Sequence, residues 1–345
     1  MPAGWIQKGT VPHKTRDIVV IGASAGGVPV LEQIVAGLPL DFPATVFVVL
    51  HIQPSSVSRL PAILSEAGSL PARHPSNGSP IRKGHIYVAP PDQHLLIKDG
   101  HIQLSPGPKE HRARPAINPL FRSAAITYGP RVIGVVLSGT LDDGTAGLWE
   151  IKQRGGITVV QDPSDARFPD MPRNALEQVP IDHVMPVGGI ASLLTDLVGQ
   201  PMHGEATHVG ATEEEVMKAY EWTDLTCPEC RGPIRQSGKS LKEYRCRVGH
   251  RYSPETYVAA EVETRERTMW AAVLALEEAA EVMKGLAESK SADKRRRLQQ
   301  SADNNLQAAK KIRELREWLI KEESRHLMEE AEDQSSQEEP GESAA

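Results

Sequence analysis

From Asp17 to about Val198, short unbroken apolar runs alternate with amphipathic stretches. Ile18-Val19-Val20-Ile21, Thr45 to Leu50, Val132 to Leu137 and Ile157 to Val160 are dominated by β-branched and apolar residues. Such runs suit strands buried on both faces of a parallel sheet. His183-Val184-Met185 is a shorter run of the same kind, and Gly84 to Pro91 holds another strand. Between them, Val30, Leu31, Ile34 and Val35 recur at helical spacing, as do Leu60, Ile63 and Leu64. Residues 116–128, the stretch through Leu148 and Ile151, and Ile190 to Leu197 read as further helices. Leu95 to Lys98 and His101 to Leu104 flank Asp99-Gly100, a two-residue hairpin signal. The alternation predicts an α/β fold: a doubly wound, mostly parallel sheet with helices on both faces, over residues 17–199.

The pattern then changes. Residues 1–16 read as a flexible tail and 200–221, polar and glycine-rich, as a linker. A compact cysteine-containing module occupies 222–254, and residues 255–330 carry two long helical runs. In the first, Met269, Val273, Leu276, Ala280 and Met283 alternate spacings of four and three. Leu298, Ala302, Leu306, Ala309, Ile312 and Leu319 form a comparable stripe in the second. Ser289-Lys290-Ser291 between the runs predicts a helical hairpin, and 331–345 reads as a disordered acidic tail.

With 345 residues, 39% hydrophobic and 24% charged, the chain has the make-up of a soluble globular protein. A formal net charge of −6 provides no basic field for nucleic acid. The apolar runs fall far short of the ~20 residues that span a bilayer, so no membrane insertion is expected. Three cysteines, all between Cys227 and Cys246, cannot build a disulfide framework and point to metal binding in a reducing compartment. The expected location is cytoplasmic.

The candidate chemistry begins at Gly22-Ala23-Ser24-Ala25-Gly26-Gly27, directly after the first strand. One reading is a nucleophile elbow: Ser24 exposed at a strand-to-helix corner, with the Ala25 N–H aimed at a developing oxyanion. The other is a phosphate cradle at a helix N-terminus. A dinucleotide fingerprint would place glycine where Ser24 stands and an acid at the end of the second strand, where His51 stands. Function in an open parallel sheet gathers at the carboxyl ends of the strands. Ser24, His51 and Asp143 each follow one, and they suit a nucleophile, a general base and its orienting carboxylate. Plainer roles remain open: Asp142 and Asp143 could cap the helix after Gly144, and His85, His94 and His111 are rival histidines.

Ile21 to Gly27, Leu50-His51-Ile52-Gln53-Pro54, Tyr87-Val88-Ala89-Pro90, Arg114-Pro115, Leu137-Ser138-Gly139 with Asp143-Gly144, and Met171-Pro172-Arg173 occur in that order. Together they resemble the bacterial chemotaxis protein-glutamate methylesterases over roughly Asp17 to Val198. The resemblance implies a serine hydrolase, with no catalytic cofactor, acting on γ-glutamyl methyl esters of chemoreceptor cytoplasmic helices. Some members also deamidate receptor glutamines. By motif position the nucleophile falls on Ser24, the base on His51 and the aspartate on Asp143, with Ala25 and Thr140 offering oxyanion-hole N–H groups. Ala25 stands where the family often has threonine, and Thr140 where a methionine is common. Only a short tail precedes the first strand, so the family's receiver domain is not expected and regulation falls to a separate partner in trans.

Cys227-Pro-Glu-Cys230 and Cys246-Arg-Val-Gly-His250 are two ligand hooks fifteen residues apart. Three thiolates and an imidazole close a tetrahedral Zn²⁺ site with no place for water, hence a structural one. In a segment with little core of its own, the metal would supply folding energy. The module is locally basic, but few aromatics are available for base stacking, and no nucleic-acid partner is expected. The helical stripe reads first as an intramolecular seam and leaves a homodimer open. An alternative to hydrolysis is a signalling adaptor of little activity that acts through its C-terminal helices; a nucleotide-binding domain comes third.

Overall fold

The computed structural model describes residues 15–200, 220–237 and 241–337. Expectations for residues 1–14, for 201–219 of the linker and for 338–345 lie outside them. The chain divides into two compact units, Met1–Val258 and Ala259–Ala345.

The first unit is built on β1 (Ile18–Ala23), α1 (Gly27–Ala36), β2 (Thr45–Leu50), α2 (Leu60–Ala67), β3 (Ala72–Arg73) and β4 (Ile86–Val88). The hairpin β5 (His94–Lys98) and β6 (His101–Ser105) follows, then α3 (Ile117–Tyr128) and β7 (Val132–Val136). Next come α4 (Thr145–Gln153), β8 (Ile157–Gln161), α5 (Asp170–Gln178), β9 (His183–Met185) and α6 (Val187–Leu197). Seven strands form one sheet in the order β3-β4-β2-β1-β7-β8-β9, with every pair parallel. Alternate side chains feed two cores. Val19 and Ile21 pack with α1, α2 and α6 residues such as Leu31, Leu64 and Leu194. Ile18 and Val20 pack with Leu120, Phe121, Leu148 and Met171 from α3, α4 and α5. Burial of both faces is why the strands carry no polar alternation. Asp99 and Gly100, at φ 47° and 78°, close the hairpin as paired left-handed turn residues.

The chain leaves β1 toward β2 on one side and returns to β7 on the other, so the winding reverses at β1. Crevices for ligands form at such a switch point, outside the carboxyl ends of the strands.

Four antiparallel strands follow within the same unit: β10 (Tyr220–Thr226), β11 (Pro233–Ser237), β12 (Tyr244–Cys246) and β13 (Arg251–Tyr252). β10 begins at the end of the stretch that reads as linker. α7 (Pro254–Glu288) starts with Pro254 at its first position and a reciprocal cap. Ser253 Oγ accepts the Thr256 N–H at 3.0 Å, and Thr256 Oγ1 accepts the Ser253 N–H at 2.8 Å.

In the second unit α7 pairs with α8 (Ala292–Gln337). Contacts of Asn305 with Met283, Arg313 with Glu277 and Arg316 with Glu266 make the pair antiparallel. Val273, Ala280 and Ala287 face Ala302 and Ala309 along a buried seam, where small residues let the helices approach closely. α8 runs seven residues past the expected end at 330, because no proline or glycine interrupts it before Pro340. Among the described residues, no helix is long and apolar enough to cross a membrane.

Candidate active site and Cys3His cluster

Ser24 follows β1 in a turn that only small residues can make. Its N–H is held by the Ser138 carbonyl at 3.0 Å, and its own carbonyl takes the Gly27 N–H at 3.0 Å. Gly26 has φ 71°, and a Cβ there would meet Phe168 and Ser138. No side chain caps α1. Among the described residues, the N–H groups of Ala25 and Thr140 have no acceptor. The positive end of α1 therefore opens beside the Ser24 hydroxyl.

His51 follows β2 and extends its ladder, its N–H reaching the Ala23 carbonyl at 3.2 Å. Its Nδ1 lies 3.2 Å from Ser24 Oγ and its Nε2 lies 2.8 Å from Asp143 Oδ2. The ring thus presents its nitrogens in the reverse of the usual order, in which Nε2 faces the serine. With Nε2 protonated toward Asp143, Nδ1 carries the lone pair that can accept the hydroxyl proton.

Asp143 lies in the loop after β7 and is buried. Its Oδ2 also accepts the Ile117 N–H at 2.7 Å, and its Oδ1 accepts the Asn118 N–H at 3.1 Å. α3 has no side-chain cap of its own at Ala116; the distant carboxylate serves as one. Burial alone would raise the Asp143 pKa. The His51 hydrogen bond, the nearby His111 and His51 rings and the Ile117 N–H outweigh it and bring the pKa to about 2. Asn118 Oδ1 accepts the Gly144 and Gly147 N–H groups at 3.1 and 2.7 Å, which ties the start of α3 to the Asp143-Gly144 turn.

The remaining motif residues hold this edge. Gly139 donates to the Phe168 carbonyl at 2.9 Å and accepts the Met171 N–H at 3.0 Å. Of the rival histidines, His94 is buried between the Pro108 carbonyl at 2.9 Å and the Ala116 N–H at 3.2 Å. Its burial lowers its pKa and keeps the ring neutral. His85 sits at the amino end of β4 on the Lys83 carbonyl, at the other edge of the sheet. His111 lies behind the Asp143 loop, with Nδ1 3.4 Å from Asp142 Oδ1 and Nε2 2.9 Å from the Asn118 amide nitrogen. Burial pushes this ring's pKa down, but Asp142, Asp143 and Glu110 together push it up to about 9. The Asn118 Nδ2–H faces Nε2 and works against a second ring proton there. The sequence marks His111 only as a rival base; its left-handed backbone, φ 49°, carries no signal in the residue type.

In the small module, Cys227 and Cys230 occupy the β10–β11 turn, Cys246 ends β12, and His250 precedes β13. Their four ligand atoms lie within 4.8 Å of one another. Cys227 Sγ is 3.6 Å and Cys246 Sγ 3.4 Å from His250 Nδ1, and Cys230 Sγ is 3.7 Å from Cys246 Sγ. Metal–ligand bonds of about 2.3 Å to sulfur and about 2.0 Å to nitrogen give tetrahedral edges of about 3.8 and 3.5 Å. These three of the six edges match those lengths.

The module rests on the sheet domain through a closed ring of charges. Arg122 of α3 binds Glu110 at 3.0 Å, and Arg251 binds Glu243 at 3.2 Å. Arg251 lies 3.6 Å from Glu110 and Arg122 lies 3.7 Å from Glu243. Burial would raise the pKa of Glu110, but Arg122 and Arg251 bring it to about 2.

Fold and site define a doubly wound α/β domain with a hydroxyl, an imidazole and a carboxylate in line at the carboxyl edge of its sheet. The family model described as CheB methylesterase matches residues 19–194, and the chain belongs to that family of hydrolases. Protein-glutamate methylesterase/protein-glutamine glutaminase 2 of Anaeromyxobacter dehalogenans is 40% identical over 181 residues, 52% of this chain and 53% of that protein. A putative protein-glutamate methylesterase/protein-glutamine glutaminase of Leptospira interrogans is 38% identical over 182 residues and is covered to 94% of its length. The crystal structure of the Thermotoga maritima CheB methylesterase catalytic domain superposes with a TM-score of 0.51 at 32% identity, covering 54% of this chain and 100% of that one. This chain spans about half the length of the Anaeromyxobacter protein.

Proposed function

We propose that the chain hydrolyses γ-glutamyl methyl esters on the cytoplasmic helices of chemoreceptor-like proteins. The observation that carries this reading is the continuous relay from Ser24 Oγ through His51 to Asp143, 3.2 and 2.8 Å long. Ser24 Oγ attacks the ester carbonyl as His51 Nδ1 takes its proton. The Ala25 and Thr140 N–H groups receive the oxyanion. Collapse of the intermediate breaks the C–OCH₃ bond, and the Nδ1 proton leaves with the alkoxide as methanol. Water, deprotonated by Nδ1, then cleaves the acyl-serine to free glutamate and Ser24. Asp143 stays ionised throughout and stabilises the imidazolium. A primary amide can enter the same route with ammonia as the leaving group, which would make receptor glutamines substrates as well. The names of the relatives support both activities.

Cys227, Cys230, Cys246 and His250 would hold Zn²⁺ in a closed structural site, a reading supported by the donor set and the tetrahedral edges. Three free thiols fit a reducing compartment, and we assign the protein to the cytoplasm.

The test is methanol release from a methylated receptor fragment. Wild-type protein should release it, and Ser24→Ala should lose at least ~10³-fold of the rate with its circular dichroism unchanged. Equal release by the two proteins would remove Ser24 from the chemistry.

A further inference from the structure

His111 takes no part in the relay, yet it packs behind the Asp143 turn against Asp142 and Asn118. Its Nδ1 is 3.4 Å from Asp142, the neighbour of Asp143. Its Nε2 is 2.9 Å from the amide nitrogen of Asn118. That same Asn118 donates its main-chain N–H to Asp143 and braces Gly144 and Gly147. The remaining neighbour of the ring comes from far along the chain: Thr256 Oγ1 lies 3.4 Å from Nδ1. Thr256 is fully buried and belongs to the cap that starts α7, six residues after His250.

The main chain makes the same junction. The His111 N–H donates to the Arg251 carbonyl at 2.9 Å, and the Arg251 N–H reaches the Lys109 carbonyl at 3.4 Å. Arg251 directly follows His250 of the Cys3His cluster. The loop so gripped is strained, with His111 and Arg112 at φ 49° and 65°. Non-glycine residues keep such a conformation only where their surroundings over-determine it. The Glu110–Ala113 backbone pair, 2.9 and 3.3 Å, closes the turn locally, and β13 and Thr256 on one side and Asp142 and Asn118 on the other fix how it sits.

We propose that His111 is a positioning residue through which the Cys3His module holds the Asp142–Asp143 turn, so that the folded module sets the reactivity of Ser24. The proposal rests on the reading of Ser24 as nucleophile. It assigns the module a second task beyond its own fold. When the module unfolds, the 109–112 loop loses its contacts with Arg251 and Thr256, His111 withdraws from Asp142 and Asn118, and Asp143 shifts against His51. A displacement of about 1 Å in such a relay costs on the order of 10²-fold in rate.

The test uses the full chain and reads Ser24 directly, by its labelling rate with a fluorophosphonate and by kcat and KM for a small aryl ester. Wild type, His111→Gln and His111→Leu are compared, each with metal and after stripping by a thiol-competing chelator. Both substitutions face the same backbone strain at φ 49°, so the difference between them reads the polar contacts. His111→Leu should lower kcat and labelling about 10- to 100-fold with KM within about twofold, and His111→Gln should recover part of the loss. Stripping metal from wild type should lower both rates similarly, and added Zn²⁺ should restore them. Stripping the His111→Leu protein should then cost little more, since the two losses share one route. Unchanged labelling in folded His111→Leu, or losses from stripping and substitution that multiply independently, would overturn the inference. If His111→Leu does not fold, the metal arm on wild type decides, and equal labelling with and without metal overturns it. A wild-type chain that the probe never labels sinks the Ser24 reading and this inference with it; a labelled wild type with unaffected variants sinks this inference alone.

Discussion

Asp143 Oδ2 lies 2.7 Å from the Ile117 backbone nitrogen and 2.8 Å from His51 Nε2, so one oxygen caps a helix and orients the His51 ring. The other oxygen takes the Asn118 N–H. The site is therefore as rigid as the start of α3, and the carboxylate cannot turn away from His51 without uncapping that helix.

Asp143→Asn tests this double role. An amide offers one acceptor oxygen where three N–H donors converge, so its NH₂ group must confront a donor. The loss of the orienting charge should lower kcat by about 10³–10⁴-fold. The stranded donor should also cost about 1–3 kcal/mol of stability in urea denaturation. A variant as stable as wild type would show that the cap is not needed.

Acid should unfold the domain through two identified carboxylates. Asp143 has its pKa lowered from 3.8 to about 2, and Glu110 from 4.5 to about 2. A carboxylate with a depressed folded pKa contributes stability above its unfolded pKa, and that contribution disappears as pH falls through the folded value. The contribution of these two carboxylates should be level above about pH 5 and fall between about pH 4.5 and 2, by roughly 2 kcal/mol for Asp143 and 3 for Glu110. Urea midpoints across that range measure it. A Glu110→Gln protein with an unchanged slope would remove Glu110 from the account.

Gly139 should not tolerate even a methyl group. An added Cβ would fall 2.1 Å from Met171 Sδ and 2.8 Å from Ser24 Cβ. One partner is a buried core side chain and the other carries the hydroxyl of the proposed nucleophile, so relief on either side moves the core or the relay. Gly139→Ala should lose at least ~10²-fold in esterase rate, and overpacking should cost about 1–3 kcal/mol. Wild-type kinetics from this variant would mean that the turn is freer than its contacts imply.

The main strands and the residues after them were legible because β1, β2 and β7 are buried on both faces and write their apolar runs directly into the chain. In a parallel sheet the residues after those strands must share one edge, which brings Ser24, His51 and Asp143 into range of one another. The relay's finer geometry was not legible. Which ring nitrogen of His51 faces Ser24, and that the first N–H groups of α3 hold Asp143, are three-dimensional relations with no local sequence signal. α5 was visible only as Met171-Pro172-Arg173, since its early proline and polar length hide the helical period. β3, two residues long, has no pattern to read. Of the seven residues of β10 only Leu225 is aliphatic, and with no buried position along the strand the alternation is blurred. His111 meets Thr256 across 145 positions, a relation that local sequence does not contain.

The Cys3His cluster makes the last prediction. Cys230 Sγ lies 3.7 Å from Cys246 Sγ, and His250 Nδ1 lies 3.4–3.6 Å from two thiols, separations that a four-coordinate ion would bridge. The module is small and its strands are short, so little apolar core would hold it without metal. Protein purified without chelator should contain one zinc per chain, with X-ray absorption giving three sulfurs at about 2.3 Å and one nitrogen at about 2.0 Å. Cys230→Ser should weaken zinc retention. The stripped protein should become open to protease cleavage between Tyr220 and Ser253, while the seven-stranded domain resists. Zinc-free wild-type protein with an equally resistant module would show that the cluster folds on hydrogen bonds and the Arg122–Glu110–Arg251–Glu243 ring alone.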